Sequence, residues 1–426
     1  AWQVPELKKK LLYTAFIILL FRLGSSIPVP YIDIAQLSTF FDSMSGTALG
    51  LMNVFSGGGL SRATIFAMSV TPYINASIII QLMGMMIPYF QKMQKEGESG
   101  RRKMNQWTRF LTIGVLILQG PAYIANLYHQ VPTAFVYGNS FGFVAYATTI
   151  LIAGTMFIMW LGEKITDKGI GNGVSLLIFA SIVSNWSSLY TSVTGLLTRA
   201  AAGEPQFYIL LPVLVILALV AVVFVVVMTN AERRITIQYA KRVVGRKQMG
   251  GQNSYLPLKL NMSGVMPIIF ASALVSIPGT IGSFLQIDQT AHPVWYAFFH
   301  TFNYTSWLYV VIYLLLILAF NYFYVAIQYN PVEIANNLRR NNGSIPGFRP
   351  GKPTSDFITR TLNKITLIGA IFLAAVAVLP IILGNLTGMS IQLGGTSLLI
   401  VVGVALDTTR SLDSFMTMRN HKGFLG

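Results

Sequence analysis

Thr64-Ile65-Phe66-Ala67-Met68-Ser69-Val70-Thr71-Pro72-Tyr73-Ile74-Asn75-Ala76-Ser77-Ile78-Ile79-Ile80-Gln81-Leu82-Met83 runs for 20 residues without a charge. A helix crossing the roughly 30 Å hydrocarbon core of a bilayer needs about 20 apolar residues, each rising about 1.5 Å. The stretch therefore reads as a membrane span, from Ala63 to Ile87. Val70, Ile74 and Ile78 recur every fourth residue and share one helix face. By periodicity alone that stripe is ordinary packing. Asn75, Ser77 and Gln81 carry polar groups that lipid does not solvate, so they are expected to face protein or a water-filled path.

Nine further segments pass the same test, near Leu11 to Ile27, Phe110 to Leu127, Phe143 to Leu161, Ile170 to Val193, Tyr208 to Met228, Ser263 to Phe284, Leu308 to Ile327, Ile365 to Leu383 and Ile391 to Leu406. The first follows Lys8-Lys9-Lys10, but it is longer than a secretory signal core and has no convincing small-residue cleavage site before Pro28-Val29-Pro30. It reads as a retained helix. Composition agrees: of 426 residues 54% are hydrophobic and 10% charged, against about 25% charged in soluble domains. The chain is expected to be an all-α polytopic membrane protein with ten transmembrane helices.

The 30 Lys and Arg residues outnumber 14 Asp and Glu, giving a net charge of +16. All but Arg22, Arg62 and Arg199 fall in the N-terminal tail, the C-terminal tail or the even-to-odd connections between spans. The positive-inside rule then puts both termini and the large basic loops, 230–260 and 330–364, in the cytoplasm; the expected location is the cell inner or plasma membrane. Ten spans divide into five and five, residues 1–205 and 206–426. Because five is odd, a similarly built second half is inverted, giving two pseudo-symmetric inverted halves.

Several chemistries are excluded. The chain has no cysteine, so it has neither disulfides nor thiolate metal sites. The spans hold no Asp, Glu, Lys or His, and Arg22 lies toward the outer end of the first. Secondary transport of a small solute, the leading alternative, usually needs such groups to bind a coupling ion. Asp407 lies just beyond the last span and reads as a solvated helix end. Gly138-Asn139-Ser140-Phe141-Gly142 fits a G-x-S-x-G pattern, but that elbow requires a strand-turn-helix setting and a histidine partner. An intramembrane serine protease would need Ser140 to matter. Gly169-Ile170-Gly171-Asn172-Gly173 mimics a dinucleotide loop without a preceding strand and reads as a flexible approach to the fifth span. The sequence implies no catalytic residues, no metal and no cofactor.

One segment is unusual. Leu49 to Arg62 is apolar for one or two turns, then reaches Gly57-Gly58-Gly59 before the second span. A short helix on such a glycine hinge is displaceable with little backbone strain, although a surface re-entrant turn has the same composition.

Together these strings become recognisable. Pro72 to Gln81, Trp160 to Ser175 and Gly394 to Val402 resemble the SecY family, the large subunits of the bacterial protein-conducting channel. So do Arg22-Leu23-Gly24 with Ile27 to Pro30, Asn261 to Pro267, and Pro346 to Gly351. One departure is Ser69, where the family commonly has glycine; it is expected to alter local packing more than function. The resemblance implies two five-helix halves around an hourglass channel that passes unfolded secretory polypeptides and releases transmembrane helices sideways into lipid. It implies an apolar ring at the waist: Val70, Ile74 and Ile78, Val174 and Ile178, Ile269, and Ile400. An apolar constriction excludes hydrated ions by dewetting, yet aliphatic side chains yield to a passing polypeptide.

The same resemblance makes residues 49–62 a plug, with Leu51, Met52, Asn53, Val54, Phe55, Gly57, Gly58 and Gly59 in it. It puts a lateral gate between the second and seventh spans, with Ser77, Gln81 and Asn261 as its polar cluster. Such contacts are typically worth about 0.6 to 2 kcal/mol each. The basic loops, topology signals in their own right, become docking surfaces for the ribosome, through ribosomal RNA, and for the SecA motor ATPase. Lys241, Arg242, Arg246, Lys247 and Arg349 are their contact residues. SecE and SecG small subunits, signal sequences, translocating polypeptides and the lipid bilayer complete the implied partners.

Overall fold

Proline and glycine punctuate the chain. In the computed structural model α1 (Pro5–Gly24) starts at a proline, whose missing N–H costs nothing in a first turn. α2 spans Ile34–Ser43, and α3 (Thr71–Met86) again has its proline, Pro72, in the first turn. Ile87 precedes Pro88 and is extended, as the proline ring demands, so α4 (Pro88–Lys95) leaves α3 at an angle of 100°. α5 (Glu98–Gln130), α6 (Phe141–Lys168) and α7 (Gly173–Ser184) complete the N-terminal part. α8 (Gln206–Asn230) leads into strands β1 (Glu232–Tyr239), β2 (Arg242–Val244), β3 (Lys247–Met249) and β4 (Asn253–Lys259). Then come α9 (Met266–Leu285), α10 (Pro293–Thr301), α11 (Trp307–Gln328), α12 (Pro331–Arg340), β5 (Gly343–Ser344), α13 (Lys352–Thr387) and α14 (Gly395–Lys422). The structure describes residues 4–43, 53, 56–138, 140–185, 193–194, 197–198, 201, 206–239, 242–244, 247–249, 253–285, 293–302, 306–387 and 395–422.

The protein is mainly helical, as expected of an α-helical membrane protein. Among the described residues five helices are long and apolar enough to cross a bilayer: Glu98–Gln130, Phe141–Lys168, Leu211–Asn230, Trp307–Arg340 and Lys352–Leu379. The bent pair Thr71–Gly84 and Pro88–Gln94 makes a sixth if counted as one span. The other expected spans fall on α1, α7, α9 and α14.

The second span differs from its sequence reading. It becomes helical at Thr71, whereas residues 65–70 form successive turns. Ala63 (φ 43°) and Ser69 (φ 51°) are left-handed, which no helix accommodates. These residues lie along Ile27 to Val29: Val29 N–H donates to Ala63 O at 2.8 Å and Ile65 N–H to Ile27 O at 3.0 Å. Gly154 on α6 makes room for them, because a Cβ there would meet Ile65 O at 1.9 Å. The ring of Phe66 stacks between Phe21 and Phe157, with centroids 5.9 and 6.1 Å away.

The helical reading also omitted a sheet. β1 pairs antiparallel with β4 on one side and, through Gln238 and Tyr239, with β5 on the other. Ile235, Ile237 and Leu258 pack with Leu338, Ile345, Ile358 and Leu362 beneath it. The two large basic loops are thus one structural unit on one core.

Candidate functional site

The largest apolar cluster draws on α1, α3, α6 to α9, α11, α13 and α14. All seven residues expected at the waist belong to it. Val70, Ile78, Ile178, Ile269 and Ile400 are buried, and Ile74 and Val174 are half-buried against them. They come from α3, α7, α9 and α14, so both halves contribute. Val70 is not inside the helix as the stripe implied. It caps α3, but its carbonyl accepts the Ile74 N–H at 3.0 Å, which keeps the four-residue register.

Of the expected plug, Asn53 and Gly57 to Gly59 are described; Leu51, Met52, Val54 and Phe55 lie outside the described residues. The glycines are buried in a tight turn. Asn53 O accepts the Gly58 N–H at 2.9 Å and the Ser56 hydroxyl at 2.9 Å, and Asn53 Oδ1 accepts the Ser61 N–H at 2.9 Å. Ser56 Oγ in turn accepts from Leu60 N–H at 3.0 Å. Gly57 has φ +66°, and a Cβ there would stand 2.8 Å from Ser184 Oγ and 3.1 Å from Ser181 O. A hinge was expected; what the structure shows is a closed turn in which Gly57 permits close approach to α7. Sequence reasoning missed Tyr123 of α5, whose buried hydroxyl donates to Leu60 O at 2.8 Å. One tyrosine in an apolar span gives no spacing signal for such a contact.

The expected gate residues are brought together in part. Gln81 Nε2 donates to Ser77 Oγ at 3.2 Å, one turn away on α3. Asn261, between β4 and α9, is 7% exposed and its Oδ1 lacks a hydrogen-bond partner. Asn75 Oδ1 is likewise buried without one. Close by, Asn321 of α11 accepts from the Ser263 hydroxyl and donates through Nδ2 to Thr366 O at 2.9 Å, tying the start of α9 to α11 and α13.

Among the basic residues, Arg242 and Lys247 lie on the β2–β3 hairpin, while Lys241 and Arg246 are outside the described residues. Arg349 is exposed in a braced turn between Gly347 (φ +87°) and Gly351 (φ +109°). Its carbonyl accepts the Thr354 hydroxyl at 2.8 Å, and the rings of Phe348 and Phe357 lie 4.3 Å apart. Asp407 lies 3.7 Å from Arg410; burial pushes its carboxyl above the usual carboxylate range, opposed by Arg410 and Lys259.

The two enzyme-like strings resolve into local structure. Ser140 is the N-cap position of α6, beside Tyr31, Tyr137, Phe143 and Tyr146, not the tip of a strand-to-helix elbow. The approach to the fifth span is a packed turn: Thr14 Oγ1 accepts from Ile170 N–H at 3.3 Å, Thr166 Oγ1 from Gly173 N–H at 2.9 Å, and Asn172 caps α7 through Ser175 N–H.

Fold and site together define a multi-span helical membrane protein of the channel class, with one large apolar cluster where its helices meet. The family model SecY matches residues 64–409, and the chain belongs to the SecY family. It is 41% identical over 431 residues to a protein translocase subunit SecY of Thermotoga maritima, covering 100% of this chain and 96% of that one. Its fold is similar to a solved protein-conducting channel at a TM-score of 0.61 and 17% identity, over 95% of this chain and 92% of the other. It is similar at 0.58 and 17% identity, over the same shares, to Sec61 in the canine ribosome-channel complex from the endoplasmic reticulum.

Proposed function

We propose that the chain is the central subunit of a protein translocation channel. It passes unfolded secretory polypeptides across the membrane and releases transmembrane segments sideways into lipid. The observation that carries this reading is the meeting of Val70, Ile74, Ile78, Val174, Ile178, Ile269 and Ile400 from four helices in one apolar cluster. Family membership favours the channel over a solute transporter, and the spans hold no ionisable column for ion coupling. In this reading ten helices span in two inverted halves, 1–205 and 206–426, with both termini cytoplasmic. Residues 49–62 plug the outer funnel, and Ser77, Gln81 and Asn261 line the lateral gate.

The work is mechanical, and the chain supplies no catalysis; nucleotide hydrolysis by a SecA-type motor or translation itself drives the substrate. SecE- and SecG-type subunits accompany it. The joined basic loops, with Arg349 on a braced exposed turn, suit phosphate-rich ribosomal RNA and a motor protein, and a channel of the same fold is known in a ribosome complex.

Single-channel conductance tests the waist. In planar bilayers the wild type is expected to be closed to ions without substrate, and Ile74→Asn or Ile400→Asn to leak, because a polar ring stays wet. Unchanged closure in both folded variants would refute the assignment.

A further inference from the structure

We propose that Tyr31, Tyr137, Phe143 and Tyr146 form an aromatic cage for an organic ammonium group, supplied by a lipid headgroup, at the membrane surface where α6 begins. The site is separate from the large apolar cluster and does not rest on the channel reading. Its four rings make a closed circuit. The Tyr31 centroid lies 5.0 Å from that of Tyr137 and 6.4 Å from that of Tyr146, and the Phe143 centroid lies 6.5 Å from each of Tyr137 and Tyr146. Interplanar angles of 74° and 53° at Tyr31 make the walls crossed, not stacked. With Ser140 the rings line an open pocket of about 450 Å³, a ligand-sized volume. A cation is attracted to a ring face within about 6 Å of the centroid, and a guest among these rings comes within that reach of all four. The lining residues are uncharged, so they neither repel a cation nor compensate a metal ion for its lost water. An alkylated ammonium is weakly hydrated and exchanges water for ring faces at little cost.

The backbone points the same way. Tyr31 has φ +70°, a left-handed conformation rare for a bulky residue. Its surroundings enforce it: Ile32 pairs with Phe135, Val136 N–H donates to Tyr31 O at 3.3 Å, and Asp33 N–H donates to Ala134 O at 2.8 Å. Ile32, Ala134 and Phe135 are buried, and the Phe135 ring lies 6.0 Å from that of Phe143. Strain held in place by packed neighbours is a feature of ligand clamps. The ring so positioned is not itself packed away: Tyr31 is 51% exposed, Tyr137 59% and Tyr146 43%. Phe143 and Tyr146 lie in the first two turns of α6, a helix long and apolar enough to cross a bilayer. The pocket therefore stands at headgroup depth, which makes a lipid the source of the ammonium group. Tyrosines gather at that depth as separate anchors in many membrane proteins; here they share one pocket around a strained residue.

The test titrates choline, and its uncharged tert-butyl analogue, into the full chain held in a detergent without an ammonium group, with calorimetry as the readout. Choline is expected to bind about fivefold to thirtyfold more tightly than the analogue, since the two differ in charge and not in shape. Tyr31→Gly removes one wall and also the left-handed strain. It is expected to weaken choline about threefold to tenfold while holding or raising the thermal midpoint, whereas Tyr31→Phe keeps both binding and fold. Tyr146→Leu, an apolar wall of similar bulk, is expected to lose the preference for choline over the analogue. Native mass spectrometry after extraction from mixed vesicles tests the source: phosphatidylcholine is expected to be retained over phosphatidylglycerol by the wild type and not by Tyr31→Gly. Equal binding of the two probes, no binding of choline, or unchanged binding in Tyr31→Gly would overturn the cage. A lower midpoint in Tyr31→Gly would make the ring a packing element instead. Choline bound without retention of phosphatidylcholine would overturn the lipid source.

Discussion

The turns from Ser56 to Val70 and the seam around Gln81 lie toward opposite ends of α3 and are held by different means. In the first, the polar contacts are made mainly to and by the backbone: Asn53, Ser56 and Ser61 close the glycine turn, Ile27 to Val29 pair with Ala63 to Ile65, and Tyr123 donates to Leu60 O. Close backbone approaches to α6 and α7 leave no room for a Cβ at Gly154 or Gly57. In the second, the helices meet through apolar side chains, Gln81 spends its amide on Ser77 of its own helix, and the side-chain oxygens of Asn75 and Asn261 are buried without partners. Backbone-defined geometry resists substitution. A seam of side-chain contacts is adjustable in steps of about 1 kcal/mol, and unpaired amide oxygens lower the cost of exposing it to water.

Gly154→Ala tests the backbone side with the largest effect. Helix propensity alone favours alanine by about 1 kcal/mol. A Cβ at 1.9 Å from Ile65 O forces α6 and the turn apart, which is expected to outweigh that gain and destabilise by about 2 kcal/mol net. Thermal unfolding of the detergent-solubilised protein reads the sign; a variant more stable than wild type would show that the approach is not close.

A smaller effect is expected from Tyr123→Phe, which deletes the hydroxyl bonded to Leu60 O. Leu60 O keeps the Ala63 N–H at 3.2 Å after losing the tyrosine, so the loss is limited to about 1 kcal/mol. It is expected to lower the unfolding midpoint without relaxing signal selectivity, the reverse of Gln81→Leu at the seam. If both variants changed the same observable, the contrast between the two regions would collapse.

What the sequence disclosed follows from which forces leave a periodic trace. Lipid requires backbone bonds to be satisfied within a segment, so the long apolar runs read directly as helices. Val70, Ile74 and Ile78 were legible as a stripe. The turns at 65–70 were not, because hydropathy records side chains and these turns are as apolar as the helix that follows; Pro72 was the available sign that the helix starts late. The sheet left a readable trace in the alternation of Ile235 and Ile237, with β-branched Thr236 between them. It was overshadowed by the charges around it, and no local pattern predicts that β5 returns from the next basic loop to pair with β1. Tyr123 was illegible for the same reason: its partner Leu60 is distant in sequence and no spacing links them.

The smallest expected effect comes from Ser69→Gly and sharpens the backbone side from within. Ser69 has a φ of 51°, and a left-handed residue with a Cβ is strained by about 1 to 2 kcal/mol. Glycine removes that strain but raises the entropy of the unfolded chain, returning about 0.5 to 1 kcal/mol. The serine side chain's own contacts are lost as well. The balance leaves a stabilisation of a few tenths of a kcal/mol up to about 1, read as a slightly higher unfolding midpoint with unchanged export. A clear fall in stability would mean that the serine's contacts outweigh the strain, and that this turn, like the seam, is held by a side chain after all.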